Sequence, residues 1–511
     1  MIKRSFSSYQ KAFTVADINQ HLIKAEYAVR GKIPTLAGKI SEDLKNGSTD
    51  YKFDKVAQLN IGNPQIFNQP PIHLMREVVG RTLMGGAVAS QLQEDENKRN
   101  LMALYHMQAF ESKSHEKNIK RLSDAYLKQI NTSAYPERGG YAFVRESTKR
   151  FIEKRDGVEA DLDNIFIING AGVGIKFALE FLIDCSDCGV MIPIPQYPLY
   201  SALLTLFNGR QIQYFLNEED NWNVTYDELQ ESLSKAVDQG TKPRAIVVIN
   251  PGNPTGNVLK RERMEEIIRF AYENDICILA DEVYQENIYG DNEWFSFKKV
   301  LKEMDDERVR NETPLISFHS MSKGIFGECG MRGGYMEIVN FKEEHMERIR
   351  TKMNYFFANI GGQLALDFKN RYLSGELREE LDSEVFESLD ENYNRLKRSL
   401  EFRAQQASMY LNNMKNVKSN SINGAMYAFP SLFLPDRFKQ EAESKGLVPD
   451  AHYCIELLEN TGICTVPGSG FLQKEGTNHL RVTILPQPDD YFVDVFKQFK
   501  KFNDKLMEKY E

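Results

Sequence analysis

The sequence predicts an α/β fold organised round a mainly parallel, seven-stranded sheet, followed by a smaller α+β unit. Three observations lead there: seven apolar runs of about six residues, amphipathic helical segments between several of them, and loops rich in glycine, proline and charge where the runs stop.

In chain order the runs are IFIING, VMIPIP, QIQYFL, AIVVIN, ICILAD, PLISFH and GGYMEIV, rich in β-branched or aromatic residues as strands buried on both faces require. Segments such as Arg261–Glu273 set apolar residues at helical spacing between them. Strand and helix in alternation give parallel pairing through right-handed crossovers, which puts ligand sites beyond the carboxyl ends of the strands. Two polar, helix-biased stretches, 91–129 and 370–409, stand out beside this region, and GAMYAFP, YCIELLEN, ICTVPGSGF and HLRVTILP make up the smaller unit. No internal repeat, low-complexity tract or flexible linker interrupts the order.

A chain of 511 residues that is 41% hydrophobic can bury a large core, and a net charge of -9, with lysines and arginines interleaved among acids, offers no basic stripe to a nucleic acid. The longest apolar stretch, VMIPIPQYPLYSALLTLF, is broken by prolines and Gln196. It falls short of the roughly 18 apolar residues of a bilayer-spanning helix, so a soluble protein without a membrane partner is expected. Six cysteines, Cys185, Cys188, Cys277, Cys329, Cys454 and Cys464, are too scattered for a disulfide framework and fit a reducing compartment. Cys185 and Cys188 form one CxxC without a second ligand pair and read as two ordinary loop thiols. His106 and His115 lie at a spacing that makes no metal site, and no metal is expected. The first fifteen residues carry Lys3, Arg4 and Lys11, three serines and no acid, the pattern of a mitochondrial transit peptide.

Chemistry concentrates where the runs end. IFIING leads into AGVGIKFALEFLI, so Gly170, Gly172 and Gly174 stand between a strand and a helix, where backbone N–H groups and the helix dipole can hold a phosphate; a purely structural turn is the other reading. A dinucleotide fingerprint would require glycine where Ile175 stands, which disfavours that use. AIVVIN ends in PGNPTG, whose prolines and glycines fix the loop and present the Asn253 amide as a donor. ICILAD sets Asp281 at the end of an apolar strand, where a carboxylate needs a cationic or hydrogen-bonding partner; a protonated pyridine nitrogen would supply one.

PLISFHS leads into MSKGIFGECGMRGG, so Ser320, Lys323 and Arg332 share one glycine-rich, otherwise apolar stretch. Desolvation and neighbouring positive charge favour the neutral amine that imine formation needs. HLRVTILP sets Arg481 in an apolar strand, where its planar fork could grip a carboxylate or close an internal ion pair. Together these loops describe a site for a planar, phosphorylated, electron-withdrawing cofactor.

With NPGNPTG, LADEVYQ, SFHSMSKG, ECGMRGGYME, GAMYAFP and VPGSGF in this order, the sequence resembles the fold-type I aminotransferases that use pyridoxal 5'-phosphate (PLP), and among them the alanine aminotransferases. The likeness runs from EYAVRGKIP and LNIGNPQ to VPGSGFLQKEGTNHLRVTILP, nearly the whole chain. It implies that Lys323 binds PLP as a Schiff base and shuttles the proton, that Asp281 pairs with the pyridine nitrogen, that Tyr197 stacks on the ring, and that Asn253 and Tyr284 bond the phenolic oxygen. Ser320, Arg332 and the backbone of Ala171 and Gly172 would hold the phosphate, with Tyr135 arriving from the second subunit of a homodimer. Arg481 would take the substrate α-carboxylate, Gly62 would line the amino-side substrate loop, and His319 would pack beneath the cofactor.

The implied substrates are amino acids and 2-oxo acids: L-alanine and 2-oxoglutarate giving pyruvate and L-glutamate by a ping-pong mechanism. A glutamate:glyoxylate or other amino-acid transaminase and a PLP β-lyase share the same cofactor set. A non-enzymatic ligand-binding protein on this fold is disfavoured, because Lys323, Asp281 and Arg481 are all present. The resemblance divides the chain into a transit peptide over 1–15, a small domain built from 16–95 and 375–511, and a large PLP-binding domain over 96–374. The mitochondrial matrix is the expected location, with the cytoplasm as the alternative. Two departures bear on the site: Gly172 stands where this family carries serine, and FANIGGQ, with Ala358 and Asn359, stands where it carries CPPVSGQ.

Overall fold

Each of the seven apolar runs forms a strand in the computed structural model, which describes residues 15–25, 31–85 and 113–511. Residues 1–14 of the segment expected to be a transit peptide, residues 26–30 of EYAVRG, His106 and positions 91–112 lie outside the described residues. The strands are β1 (Ile165–Ile168), β2 (Cys188–Ile194), β3 (Arg210–Phe215), β4 (Lys242–Ile249), β5 (Cys277–Asp281), β6 (Leu315–Ser320) and β7 (Gly334–Val339). Their order across the sheet is β1-β7-β6-β5-β4-β2-β3. β7 runs antiparallel to β1 and β6, because no crossover helix lies between Ser320 and Gly334, and the other neighbours pair in parallel.

Alternation along β4 explains why the sheet needs cover on both sides. Ala245, Val247 and Ile249 enter one apolar cluster, while Ile246 and Val248 enter another on the opposite face with Met264 and Ile267 of the helix Arg261–Glu273. The expectation of burial on both faces fails for QIQYFL alone among the seven. β3 is an edge strand, and only Ile212 and Tyr214 point inward while Arg210, Gln211, Gln213 and Phe215 face solvent.

The smaller unit is an antiparallel sheet of Tyr427–Ala428, Leu480–Thr483 and Val466–Pro467, with the helices Ser383–Asn412 and Asp489–Tyr510 packed on one another. Residues from the early chain join it, since Ala57–Gln58 pairs in parallel with Ile463–Cys464. The helix-biased stretch 370–409 covers the end of the helix Ile360–Leu373 and most of Ser383–Asn412, and the described part of 91–129 holds the helix Lys113–Leu127. His115 of that helix lies 3.0 Å from the Glu77 carboxylate, a part-buried pair rather than a metal ligand set.

Cys185 and Cys188, read above as free thiols, are joined as a disulfide. The reason is local: a turn closed by Cys188 N–H donating to the Cys185 carbonyl at 3.1 Å brings their Cα atoms to 5.3 Å. Cys277, Cys329, Cys454 and Cys464 are free. Among the described residues no helix is long and apolar enough to cross a membrane.

Candidate active site

A cavity of about 550 Å³ opens beyond the carboxyl ends of β1, β4, β5 and β6. Asp281 ends β5 and Ser320 ends β6; Asn253 follows β4; Ala171 and Gly172 begin the helix Ala171–Leu182 that follows β1. All five line the cavity, as do Lys323, Arg332, Tyr197, Tyr284, Gly62 and Arg481. Of the residues picked out from the sequence, Tyr135 lies elsewhere: it is 89% exposed, with its ring 5.4 Å from that of Phe357.

Asp281 is buried, and its Oδ2 accepts from the Tyr200 hydroxyl at 3.1 Å, while Oδ1 has no protein partner. Burial drives its pKa up to about 6, against the opposing hydrogen bonds from Tyr200 and the Val283 N–H. A carboxylate oxygen left alone in an apolar setting demands a cationic N–H donor, and a protonated heteroaromatic nitrogen in the cavity fits that demand. The helix Ala171–Leu182 begins at the cavity wall with no side-chain cap, so its first-turn backbone N–H groups could serve as an anion cradle. Arg332 flanks it, donating to the Asn169 carbonyl at 3.0 Å and the Ser322 hydroxyl at 3.2 Å.

The Lys323 Nζ donates to the Gly62 carbonyl at 2.6 Å. Arg481 is 2% exposed; it donates to Asn253 Oδ1 at 3.2 Å and to the Asn60 carbonyl at 2.8 Å, and its guanidinium carbon lies 4.2 Å from the Tyr427 ring centroid. Its Nε has no partner, so the buried fork keeps a donor. With Oδ1 of Asn253 taken by Arg481, the donor half of that amide is what remains.

Sequence reasoning assigned no role to Tyr427, Asn60, Tyr200 or Cys329. Tyr427 accepts from the Tyr284 hydroxyl at 3.3 Å. Burial pushes its phenol up, but Lys323 and Arg481 beside it bring it below its ordinary value, whereas burial and Tyr427 hold Tyr284 far above its own. The Tyr427 hydroxyl so crowds Gly62 that a Cβ there would sit 1.7 Å from it. The motifs GAMYAFP and LNIGNPQ contained Tyr427 and Asn60, and the motif repertoire was the one signal available for either.

His319 does not line the cavity. It is buried behind it, with Nε2 2.5 Å from the Lys369 amine, which in turn pairs with Glu286 at 2.5 Å. The reason is the alternation of β6, which turns His319 to the opposite side of the strand from its neighbour Ser320. Asn359 has a defined use: it caps the helix Ile360–Leu373 by accepting from Gly362 N–H at 2.7 Å, and its amide donates to the Met331 carbonyl beside Arg332 at 3.1 Å.

An amine, a half-satisfied buried carboxylate, an anion cradle and a guanidinium with a donor to spare, all facing one cavity on an α/β sheet, define an enzyme site for a carboxylate-bearing substrate and an anionic aromatic cofactor. The chain belongs to the class I and II aminotransferases, a family that matches residues 108–496. It is 40% identical to the probable mitochondrial alanine aminotransferase of Dictyostelium discoideum over 99% of this chain and 91% of that one. It is also 37% identical to glutamate–glyoxylate aminotransferase 1 of Arabidopsis thaliana, over 98% of each. Similar solved structures include an alanine aminotransferase from Pyrococcus furiosus, with a TM-score of 0.70 at 22% identity over 96% of this chain and all 100% of that one. An aspartate aminotransferase from Thermus thermophilus superimposes with a TM-score of 0.64 at 16% identity over 95% and 99%. These two likenesses establish the fold.

Proposed function

We propose that the chain transfers the amino group of L-alanine to 2-oxoglutarate, giving pyruvate and L-glutamate, with PLP held in the cavity of Lys323. The observation that carries the reading is the unpaired Asp281 Oδ1, which suits a protonated pyridine nitrogen, in one cavity with the Lys323 amine and the Arg481 fork. When bound, PLP supplies an electron-withdrawing ring that stabilises the charge left as the substrate's Cα proton departs.

The chain's own residues do the rest. Ala171 and Gly172 N–H groups, Ser320 and Arg332 would hold the phosphate, Tyr197 would cover the ring, and Asn253 and Tyr284 would meet its phenolic oxygen. Arg481, stiffened by Tyr427 and Asn60, grips the α-carboxylate and so aims the Cα–H bond. The Lys323 amine then removes that proton and redelivers it, and one cavity serves both substrates in turn, which gives ping-pong kinetics.

Tyr135 belongs to the partner's site in this reading. It stands with the exposed Tyr355, Phe356 and Phe357 on an apolar patch suited to a second copy of the chain. The small domain comprises 16–95 and 375–511, the large one 96–374, with the pairing of Ala57–Gln58 and Ile463–Cys464 in support. The mitochondrial matrix agrees with the basic, acid-free start of the sequence and with the Dictyostelium relative's description as mitochondrial.

The test is a half-reaction. L-alanine without keto acid is added to PLP-loaded protein and to Lys323→Ala, and both pyruvate and the cofactor's visible absorbance are followed. One pyruvate per site, with loss of the band, is expected from the wild type and none from the variant. A band that alanine leaves unchanged would remove alanine as donor. In a second half-reaction with the aminated protein, glyoxylate consumed in preference to 2-oxoglutarate would favour the activity named in the Arabidopsis relative.

A further inference from the structure

Lys323 is followed by Gly324, a buried residue at φ +73. A Cβ there would lie 2.6 Å from Glu286 Oε2, so the position takes glycine, which has no side chain with which to anchor itself. Gly324 is met by Asn287, which is fully buried, lies outside the cavity, and sits on the loop that leaves β5. Its Oδ1 accepts from Gly324 N–H at 2.9 Å and its amide donates to the Gly324 carbonyl at 3.5 Å, so one side chain meets both polar groups of that residue.

The main chain of the same residue reaches the other way. Ala425 N–H donates to the Asn287 carbonyl at 3.0 Å, Ile288 bridges to Gly424, and the Tyr289 hydroxyl donates to the Ala425 carbonyl at 2.7 Å. Tyr427 follows two residues later and crowds Gly62, whose carbonyl holds the Lys323 amine. A single residue thus touches the turn after the lysine with its side chain and the segment before the tyrosine with its backbone.

We propose that Asn287 is a positioning residue for the reaction, fixing the turn that carries Lys323 against the segment that carries Tyr427 so that amine and phenol meet across Gly62. The inference rests on Lys323 being the amine that carries the cofactor. An unpaired backbone N–H in the interior is strongly disfavoured, so without the Asn287 acceptor the turn relaxes to find another partner and moves the amine with it.

The experiment uses holoenzyme with Asn287→Leu, which keeps volume but has no acceptor, and Asn287→Asp, which keeps the acceptor. Displacing a reacting group by about 1 Å costs on the order of a hundredfold in rate, so Asn287→Leu is expected to lower kcat by about that factor, with KM for alanine little changed. It should also speed amide exchange at Gly324 by at least about tenfold and shift the pH midpoint of the cofactor's visible band, whereas Asn287→Asp keeps slow exchange and recovers most of kcat. Equal damage from both variants, or an Asn287→Leu protein with wild-type kcat and midpoint, overturns the proposal. If Asn287→Leu does not fold, the wild-type protein decides: slow Gly324 exchange supports the anchor and fast exchange refutes it. Borohydride reduction followed by peptide mapping separates the two layers. Cofactor mass absent from Lys323 sinks the underlying reading, while mass on Lys323 with unchanged kcat in Asn287→Leu sinks this inference alone.

Discussion

Restoring a hydroxyl at the phosphate cradle is expected to tighten cofactor binding about tenfold. Gly172 is the second residue of the helix Ala171–Leu182 and exposed, and a Cβ built on it meets nothing closer than Leu199 Cδ2 at 3.7 Å, an ordinary contact. Gly172→Ser therefore costs no steric strain. Its hydroxyl stands in the first helical turn, where a bound phosphate would face it. A hydrogen bond to a charged group contributes about 1.5–3 kcal/mol, and ordering one short side chain offsets part of that, leaving about 1.4 kcal/mol, or about tenfold in Kd. The better helix propensity of serine acts on apo- and holoprotein alike and drops out of the ratio. The assay is the equilibrium dissociation constant of PLP for wild-type and Gly172→Ser apoprotein, with pyridoxal, which lacks the phosphate, as the control. A gain for PLP and none for pyridoxal is expected. Equal affinities within about twofold, or the same gain for pyridoxal, would mean that the phosphate does not lie at this helix end, and the reasoning from the cradle would fail.

Three further outcomes follow from the geometry. Gly62→Ala puts a Cβ 1.7 Å from the Tyr427 hydroxyl and must displace the ring that supports Arg481, so kcat/KM for alanine should fall by roughly a hundredfold. Adding Tyr427→Phe should recover part of that loss, since the next ring atom is 2.8 Å away, and strictly additive losses in steady-state kinetics would exclude the clash. Burial, with the Lys369 charge beside it, holds His319 down to about 4. The unfolded chain therefore takes up the proton first, and stability is lost as pH falls from about 6.5 to 4, by about 3 kcal/mol. Chemical denaturation should find that loss in the wild type and not in His319→Gln; parallel curves would show that His319 does not titrate this way. Asn359→Ala removes a helix cap and should destabilise by about 1 kcal/mol, read as a lower Tm, while an unchanged Tm would assign Asn359 no capping role.

The strands were legible because buried parallel strands write themselves as continuous apolar runs, and at β5 the polar residue that ends the run, Asp281 after ICILA, marks the end that faces the cavity. QIQYFL misled only in burial, since its composition does not say whether a neighbour lies on both sides. Tyr200 and Asn60 were not legible for a different reason. Tyr200 acts by bonding Asp281 from 81 residues away, and Asn60 acts through a backbone carbonyl, which every residue possesses. Tyr427 stood in a recognised motif, but its chemistry arises from packing on Arg481 and Gly62, two partners distant in sequence. Cys185 and Cys188 were read by composition, and the turn between them decided otherwise.

The bond from Arg481 to the Asn60 carbonyl joins residues 421 positions apart. At about 5–20 residues per second, a ribosome separates their synthesis by roughly 20–80 s. Throughout that interval the nascent chain gains the strands, the helix end at Ala171 and then Lys323, but not the Arg481 guanidinium. The proposed cradle and amine are made early, and the proposed grip on the α-carboxylate is completed only once Arg481 has been added.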